Sequence, residues 1–160
     1  MKYVSINEEN RSQVTAFISE HWLSTKMIIR GAIIDMTQVD GIVVYDNEKI
    51  VGLLTYVITD HTCEITSLNS LSEKQGIGTS LIQHIIAIAH QKQCKRIIVV
   101  TTNDNIQAIR FYQRRGFDMA RFYHNALDIS RKLKPEIPLI GENDIPLQHE
   151  IEFEYSLEKD

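Results

Sequence analysis

The chain has 160 residues, 43% of them hydrophobic and 24% charged, and carries a formal net charge of −4. That length fits a single domain over residues 1–160, and folding a chain of this size buries about 68–70% of its surface, enough for an independent core. The acidic balance argues against nucleic acid as the main partner, because phosphate backbones are held by clustered Lys and Arg, and no apolar run approaches the ~18 residues of a membrane span.

Cys63 and Cys94 form no CxxC pair and cannot build a disulfide framework. Free thiols in a chain with this much core suit a reducing, cytoplasmic setting. The N-terminal residues carry no apolar signal region.

In chain order, residues 2–6 read as a short strand, and Asn7 is placed to cap the helix that follows. Val14, Phe17, Ile18, His21 and Trp22 recur at helical spacing. Residues 24–39 are expected to hold a second short helix and a loop. From Gly41 the period changes. Residues 41–46, 50–59 and 62–70 are rich in Val, Ile, Thr and Leu and are separated by Asp46-Asn47 and Asp60-His61, which predicts an antiparallel meander.

Gly76-Ile77-Gly78 then opens a helix whose buried stripe is Ile77, Leu81, Ile85, Ile88 and Ala89. Residues 96–102 are a β-branched run of the kind buried on both faces. Asn105 caps a further helix bearing Ala108, Ile109, Phe111 and Tyr112, and Gly116 ends it in a left-handed conformation. Residues 117–123 and 151–157 alternate as strands. Between them lies a long stretch holding Pro135, Pro138 and Pro146. The order predicts a mixed α/β (α+β) architecture, a central sheet of about seven strands with helices on both faces.

Two segments carry chemistry. Glu73-Lys74-Gln75-Gly76-Ile77-Gly78-Thr79 lies between a strand and a helix. Glycines there let backbone N–H groups turn toward an anion, and the helix N-terminus adds partial positive charge. The segment is neither a P-loop, since no Gly-Lys-Ser/Thr follows, nor a dinucleotide fingerprint, since Leu81 stands where the third glycine belongs. The second is Asn105-x-x-Ala108-x-x-Phe111-Tyr112-x-x-x-Gly116-Phe117. Taken singly, the first also reads as a plain strand-to-helix turn and the second as a plain capped helix.

Together, in this order, the two segments resemble the GNAT superfamily of acetyl-CoA-dependent N-acyltransferases, whose coenzyme loop has the form Gln/Arg-x-x-Gly-x-Gly/Ala. Glu73 departs from that form, and a carboxylate beside a pyrophosphate is electrostatically unfavourable. Arg30-Gly31, residues 68–71, 101–105 and 133–138 further resemble one uncharacterised bacterial branch of the superfamily.

The resemblance implies the GNAT fold, acetyl-CoA as cosubstrate and an amine acceptor of unknown identity; no metal is expected, since His84 and His90 do not share a helix face and no Cys/His cluster has ligand spacing. A homodimer is compatible with the resemblance. Lys74, Gln75, Gly76, Ile77, Gly78 and Thr79 would hold the coenzyme, with Ser70 and Asn105 beside them. The backbone N–H of Leu68 would polarise the thioester, and Tyr112 would donate a proton to the departing thiolate. Glu64 is the candidate base, on the expectation that it shares a strand face with Thr66 and Leu68; His61 and His149 are alternatives. Arg30, Arg131 and Lys132 are candidates for reading an acidic group on the acceptor, with surface solvation as the other reading of each. Residues 128–149 are expected to fold over the acceptor side, or else to form a surface loop or dimer contact. A coenzyme A-binding module without turnover is the alternative to an enzyme.

Overall fold

The computed structural model describes residues 1–71 and 75–158. In chain order the elements are β1 (Lys2–Ser5), α1 (Arg11–Trp22), β2 (Lys26–Ile29), β3 (Ala32–Asp35), β4 (Asp40–Asp46), β5 (Lys49–Thr59), β6 (Thr62–Ser70), α2 (Ile77–Gln91), β7 (Arg96–Thr102), α3 (Ile106–Arg114), β8 (Asp118–Tyr123), α4 (Ala126–Leu133) and β9 (Glu150–Ser156). Seven strands form one sheet in the order β1-β4-β5-β6-β7-β9-β8, while β2 and β3 pair only with each other. Every neighbouring pair in the large sheet is antiparallel except β6 and β7.

Alternation along the central strands sorts side chains onto two cores. Ile42, Val44 and Leu54 pack with Leu81, Ile85 and Ala89 of α2 and with Tyr112 and Phe153. Val43 and Leu53, one residue out of phase, pack with Val14, Phe17 and Ile18 of α1. Both faces are therefore covered, α2 and α3 on one side and α1 on the other, as the sequence order predicts. The meander and the strand over residues 96–102 stand where their patterns place them.

Three local expectations are corrected. Residues 24–39 contain no second helix; they form the β2–β3 hairpin, turned by Arg30 (φ 51°) and Gly31 (φ 74°). Two central residues at positive φ make the tight turn whose twist matches paired strands. Asn7 does not cap α1. Its Oδ1 accepts from the N–H groups of Glu9 (2.9 Å) and Asn10 (3.0 Å), shaping the turn one step earlier, and Asn10 occupies the cap. The proline-containing stretch holds a helix, α4, which starts at Asn125 in a left-handed conformation with no side-chain cap.

The rest of that stretch is pinned to the start of α3. Asp104 is buried, and its carboxylate accepts from the Thr102 hydroxyl (2.5 Å) and the Glu142 N–H (2.8 Å). A Cβ added at Gly141 would overlap this carboxylate. Gly141→Ala is therefore expected to lower the unfolding free energy by about 1–3 kcal/mol through overpacking. Urea denaturation checks this, and parent-like stability would mean that the loop is not held by Asp104.

Candidate active site at the opening between β6 and β7

The site begins with an extra residue in β6. Thr55 pairs with Ser67 and the next residue, Tyr56, pairs with Ile65, so Thr66 is bulged out of the β5 ladder. The Thr55 hydroxyl is within 2.7 Å of Thr66 Oγ1 and 2.5 Å of Ser67 Oγ, which satisfies three buried hydroxyls at the irregularity. Parallel pairing with β7 stops at Ile65 and Val99. Beyond it the β6–β7 ladder does not continue, and the two strands part to leave a gap.

On the α2–α3 side of the gap lies a cleft of about 480 Å³ lined by Leu68, Ser70, Gly76, Gly78, Thr79, Asn105 and Tyr112, seven of the residues singled out from sequence. Gly76 occupies the N-cap of α2 at φ 68° with no side-chain cap, so among the described residues no side chain caps the first N–H groups of the helix. A Cβ on Gly78 would sit 3.1 Å from the Phe111 ring, so glycine permits α2 and α3 to approach. Asn105 caps α3 as expected, its Oδ1 accepting from the Ala108 N–H at 3.1 Å. Ile77 is absent from the lining, its side chain being buried in the core. Gln75 is exposed and absent from the lining, and Lys74 lies outside the described residues.

Sequence reasoning missed three cations in this cleft: Arg110, Arg114 and Arg115. Arg115 donates to Thr79 Oγ1 (2.7 and 3.1 Å) and stacks 3.8 Å over the Phe111 ring, tying α3 to the first turn of α2. The Arg-x-x-x-Arg-Arg spacing was the available signal, since it puts Arg110 and Arg114 one helical turn apart on one side of α3 and Arg115 at its C-terminal cap.

Across the gap is a second cavity of about 490 Å³, walled by β2 of the hairpin, by α4 and by the loop after it. It shares Leu68, Asn105, Ala108 and Tyr112 with the cleft. Tyr112 is 5% exposed and packs edge-on against Phe111 and Phe117. Among the described residues its hydroxyl has no hydrogen-bond partner. Burial pushes its pKa up, so the hydroxyl stays protonated and available as a donor. A larger hollow of about 700 Å³ beside β1 and the β4–β5 turn carries none of the motif residues.

Several sequence candidates fall elsewhere. Glu64 does not share a face with Leu68, because the Thr66 bulge breaks the alternation. It sits on the other face of the sheet in a two-point pair with the Arg30 guanidinium (2.7 and 2.8 Å) and is not part of the cavity lining. Arg30 also reaches Glu152 at 3.3 Å, so it anchors the hairpin tip instead of offering itself to a ligand. Arg131 is likewise engaged internally: its guanidinium donates to the carbonyls of Ile137 (3.3 Å), Pro138 (2.8 Å) and Leu147, and thus folds the loop after α4. Lys132 is exposed. His61 is in the β5–β6 turn, at the opposite end of β6 from the opening. His149 Nδ1 accepts from the Asn125 N–H at 2.8 Å at the start of α4.

Two carboxylates line this second cavity: Asp104, held by the Thr102 hydroxyl and the Glu142 N–H, and Glu150, which sequence reasoning did not single out. Glu150 is 3% exposed, and its Oε1 accepts from the backbone N–H of Arg30 at 3.1 Å. Burial raises its pKa above the usual carboxylate range, with the charge of Glu64 adding to the effect and Arg30 opposing it. The available signal was the Glu150-x-Glu152-x-Glu154 alternation, which places acids on one face of an interior strand.

The Acetyltransferase (GNAT) family profile matches residues 6–117. The chain is 42% identical over 139 residues to the uncharacterized protein YxbD of Bacillus subtilis (strain 168), covering 86% of this chain and 87% of that one. It is 42% identical over 148 residues to YdhI of the same organism, covering 92% of each. Among solved structures, an IAA acetyltransferase from Bacillus cereus ATCC 14579 superimposes with a TM-score of 0.72 at 20% identity over 98% of this chain and all of that one. A GNAT family acetyltransferase from Elizabethkingia anophelis with acetyl-CoA bound gives 0.65 at 25% identity, covering 76% of this chain and 78% of that one. The matched profile, the mixed sheet opening between β6 and β7 and the glycine-led α2 agree: the chain belongs to the GNAT acetyltransferase family.

The raised pKa of Glu150 fixes the sign of a pH effect. A carboxyl whose folded pKa lies above its unfolded value of about 4.3 favours the fold most when protonated, and that contribution is lost as pH rises through the folded pKa. Glu150→Gln keeps an acceptor for the Arg30 N–H and removes the buried charge. It is expected to raise the melting temperature at pH 7–8, with the gain fading toward pH 4. Melting curves across this range check it, and a pH-independent difference would show that Glu150 is not strained by burial.

Proposed function

We propose that the protein transfers an acetyl group from acetyl-CoA to a primary amine. The observation that carries this reading is that two cavities, one on each side of the gap, meet at Leu68, Asn105, Ala108 and Tyr112. A two-substrate transfer needs its reactants held in line at one point, and such orientation supplies much of the rate.

In this reading the N-terminus of α2 and the backbone from Gly76 to Thr79 hold the pyrophosphate, and Arg110, Arg114 and Arg115 supply countercharge. The arginines bring positive charge from α3 to this cleft; Glu73 lies outside the described residues. The acyl arm enters the gap along β6, where the Leu68 N–H polarises the thioester carbonyl. Tyr112, protonated and without a protein partner among the described residues, donates to the sulfur as it leaves. The amine comes from the cavity on the other side and attacks directly. No cysteine competes as nucleophile: Cys94 lines neither cavity, and the thiol of Cys63 is fully buried, with burial pushing its pKa up to about 12. The acetyl-CoA bound by the Elizabethkingia relative supports the choice of donor, and the free thiols fit a cytoplasmic protein.

Two measurements test this. Acetyl-CoA at 100 times its dissociation constant should stabilise the fold by about 2.7 kcal/mol. Gly76→Val, forced to positive φ and crowding the helix N-terminus, should abolish most of that shift. No shift with millimolar coenzyme A in the parent protein would sink the assignment. Tyr112→Phe should leave the coenzyme-induced shift in place while lowering kcat by roughly 10²–10⁴-fold, the usual effect of losing a general acid. Unchanged turnover would reduce Tyr112 to a packing residue.

A further inference from the structure

The cavity between the hairpin and α4 contains two polar groups whose bonding the fold leaves incomplete, Glu150 and Thr101, whereas Asp104 in the same lining has both carboxylate oxygens bonded. Four carboxylates share one face of the sheet: Glu64 on β6 and Glu150, Glu152 and Glu154 on β9. Three of them hold a guanidinium. Glu64 pairs with Arg30 (2.7 Å), Glu152 with Arg30 (3.3 Å) and Arg121 (2.5 Å), and Glu154 with Arg96 (2.8 Å). Glu150 pairs with no cation among the described residues. Its single hydrogen bond is to a backbone N–H, and it is as deeply buried as Glu152. A buried carboxylate in that state is costly unless something else brings the positive charge. Independently, Thr101 is 8% exposed, lines the same cavity, and its hydroxyl is buried without a hydrogen-bond partner among the described residues.

The remaining walls are largely apolar, with Met27, Ile29, Val99, Leu127, Ile137 and Leu147 facing the space. The roof is closed on one side. A Cβ on Gly31 would stand 3.3 Å from Ile129, so the hairpin tip already touches α4 and leaves no groove there for an extended chain to cross.

We infer that this cavity takes a small primary amine with an apolar body, its ammonium docked on Glu150. The inference rests on the acetyl-transfer reading and adds the substrate class to it. The ammonium supplies the cation that Glu150 lacks and gives one proton to its carboxylate. The nitrogen lone pair then forms the bond to the thioester carbonyl carbon. The carbon–sulfur bond breaks with its electrons on sulfur, which takes a proton from Tyr112. The second nitrogen proton replaces the one that Tyr112 delivered, leaving an amide, a thiol and the proton on Glu150. The raised pKa of Glu150 narrows its gap to an alkylammonium and so suits it to this transfer. Thr101 offers a further hydrogen bond within the cavity, and the apolar walls take the body of the substrate.

The experiment compares 2-phenylethylamine, phenylalanine and a short peptide with a free N-terminus. Thiol release is measured with acetyl-CoA, and binding by calorimetry on coenzyme-loaded protein. 2-Phenylethylamine should exceed the other two in kcat/KM by at least about tenfold, since a carboxylate beside Glu150 is repelled. Glu150→Gln should raise its KM and weaken its binding by about tenfold or more, the scale of losing one charge-assisted hydrogen bond. Preference for phenylalanine, with Lys26 and Lys134 of the same lining reading its carboxylate, would overturn the inference. So would preference for the peptide, indifference to Glu150→Gln, or no binding of 2-phenylethylamine to coenzyme-loaded protein. Failure of coenzyme A to stabilise the protein would instead sink the acetyl-transfer reading itself.

Discussion

One residue too many in β6 opens the molecule. With Thr66 bulged against Thr55, the strand bends away from β7 after Ile65, and a parallel pair that starts in register ends as a gap. A regular strand would have continued the ladder and closed the sheet over the space that both cavities share. The Thr55 hydroxyl bonds to those of Thr66 and Ser67, so all three buried hydroxyls at the irregularity are satisfied. The chain thus gives up some sheet pairing where a ligand's backbone-like arm would replace it.

Around the gap, α3 serves both sides. Its capped N-terminus and Ala108 and Tyr112 face the junction, while Arg110, Arg114 and Arg115 turn to the cleft under α2. Gly78 against Phe111 and Thr79 against Arg115 hold α2 and α3 together without filling the space between them. The same short helix therefore sets where an anion, a thioester and an acceptor would stand relative to one another.

The opposite face of the sheet follows a different rule. Interior strands seldom carry acids, yet β9 buries Glu150 and Glu152. Arginines from the hairpin and from β8 neutralise Glu152, and Arg30 spends its guanidinium on Glu64 and Glu152 while giving only its N–H to Glu150. This network fastens the hairpin tip to the sheet, and α4 meets it there. Breaking one partner would leave buried charge uncompensated, which is why such networks constrain geometry more than they add stability.

Much of this was legible in the residues. Local periodicity and turn chemistry are short-range, so the meander, the glycine-led α2, the buried β7 and the Asn105-capped α3 could be read from neighbours in sequence, and with them most of the coenzyme-side cleft. What the sequence could not decide depends on contacts between distant segments. The parity argument for Glu64 failed because a bulge is set by how β6 meets β5, not by β6 alone. Arg30 and Arg131 looked free because their partners, Glu64 and Glu152 for one and the carbonyls of residues 137, 138 and 147 for the other, are chosen by tertiary folding. Glu150 was overlooked for the same reason. Its chemistry comes from burial beside an arginine 120 positions away that gives it a backbone N–H while the guanidinium pairs with other carboxylates, and only the assembled structure sets desolvation and charge pairing of that kind.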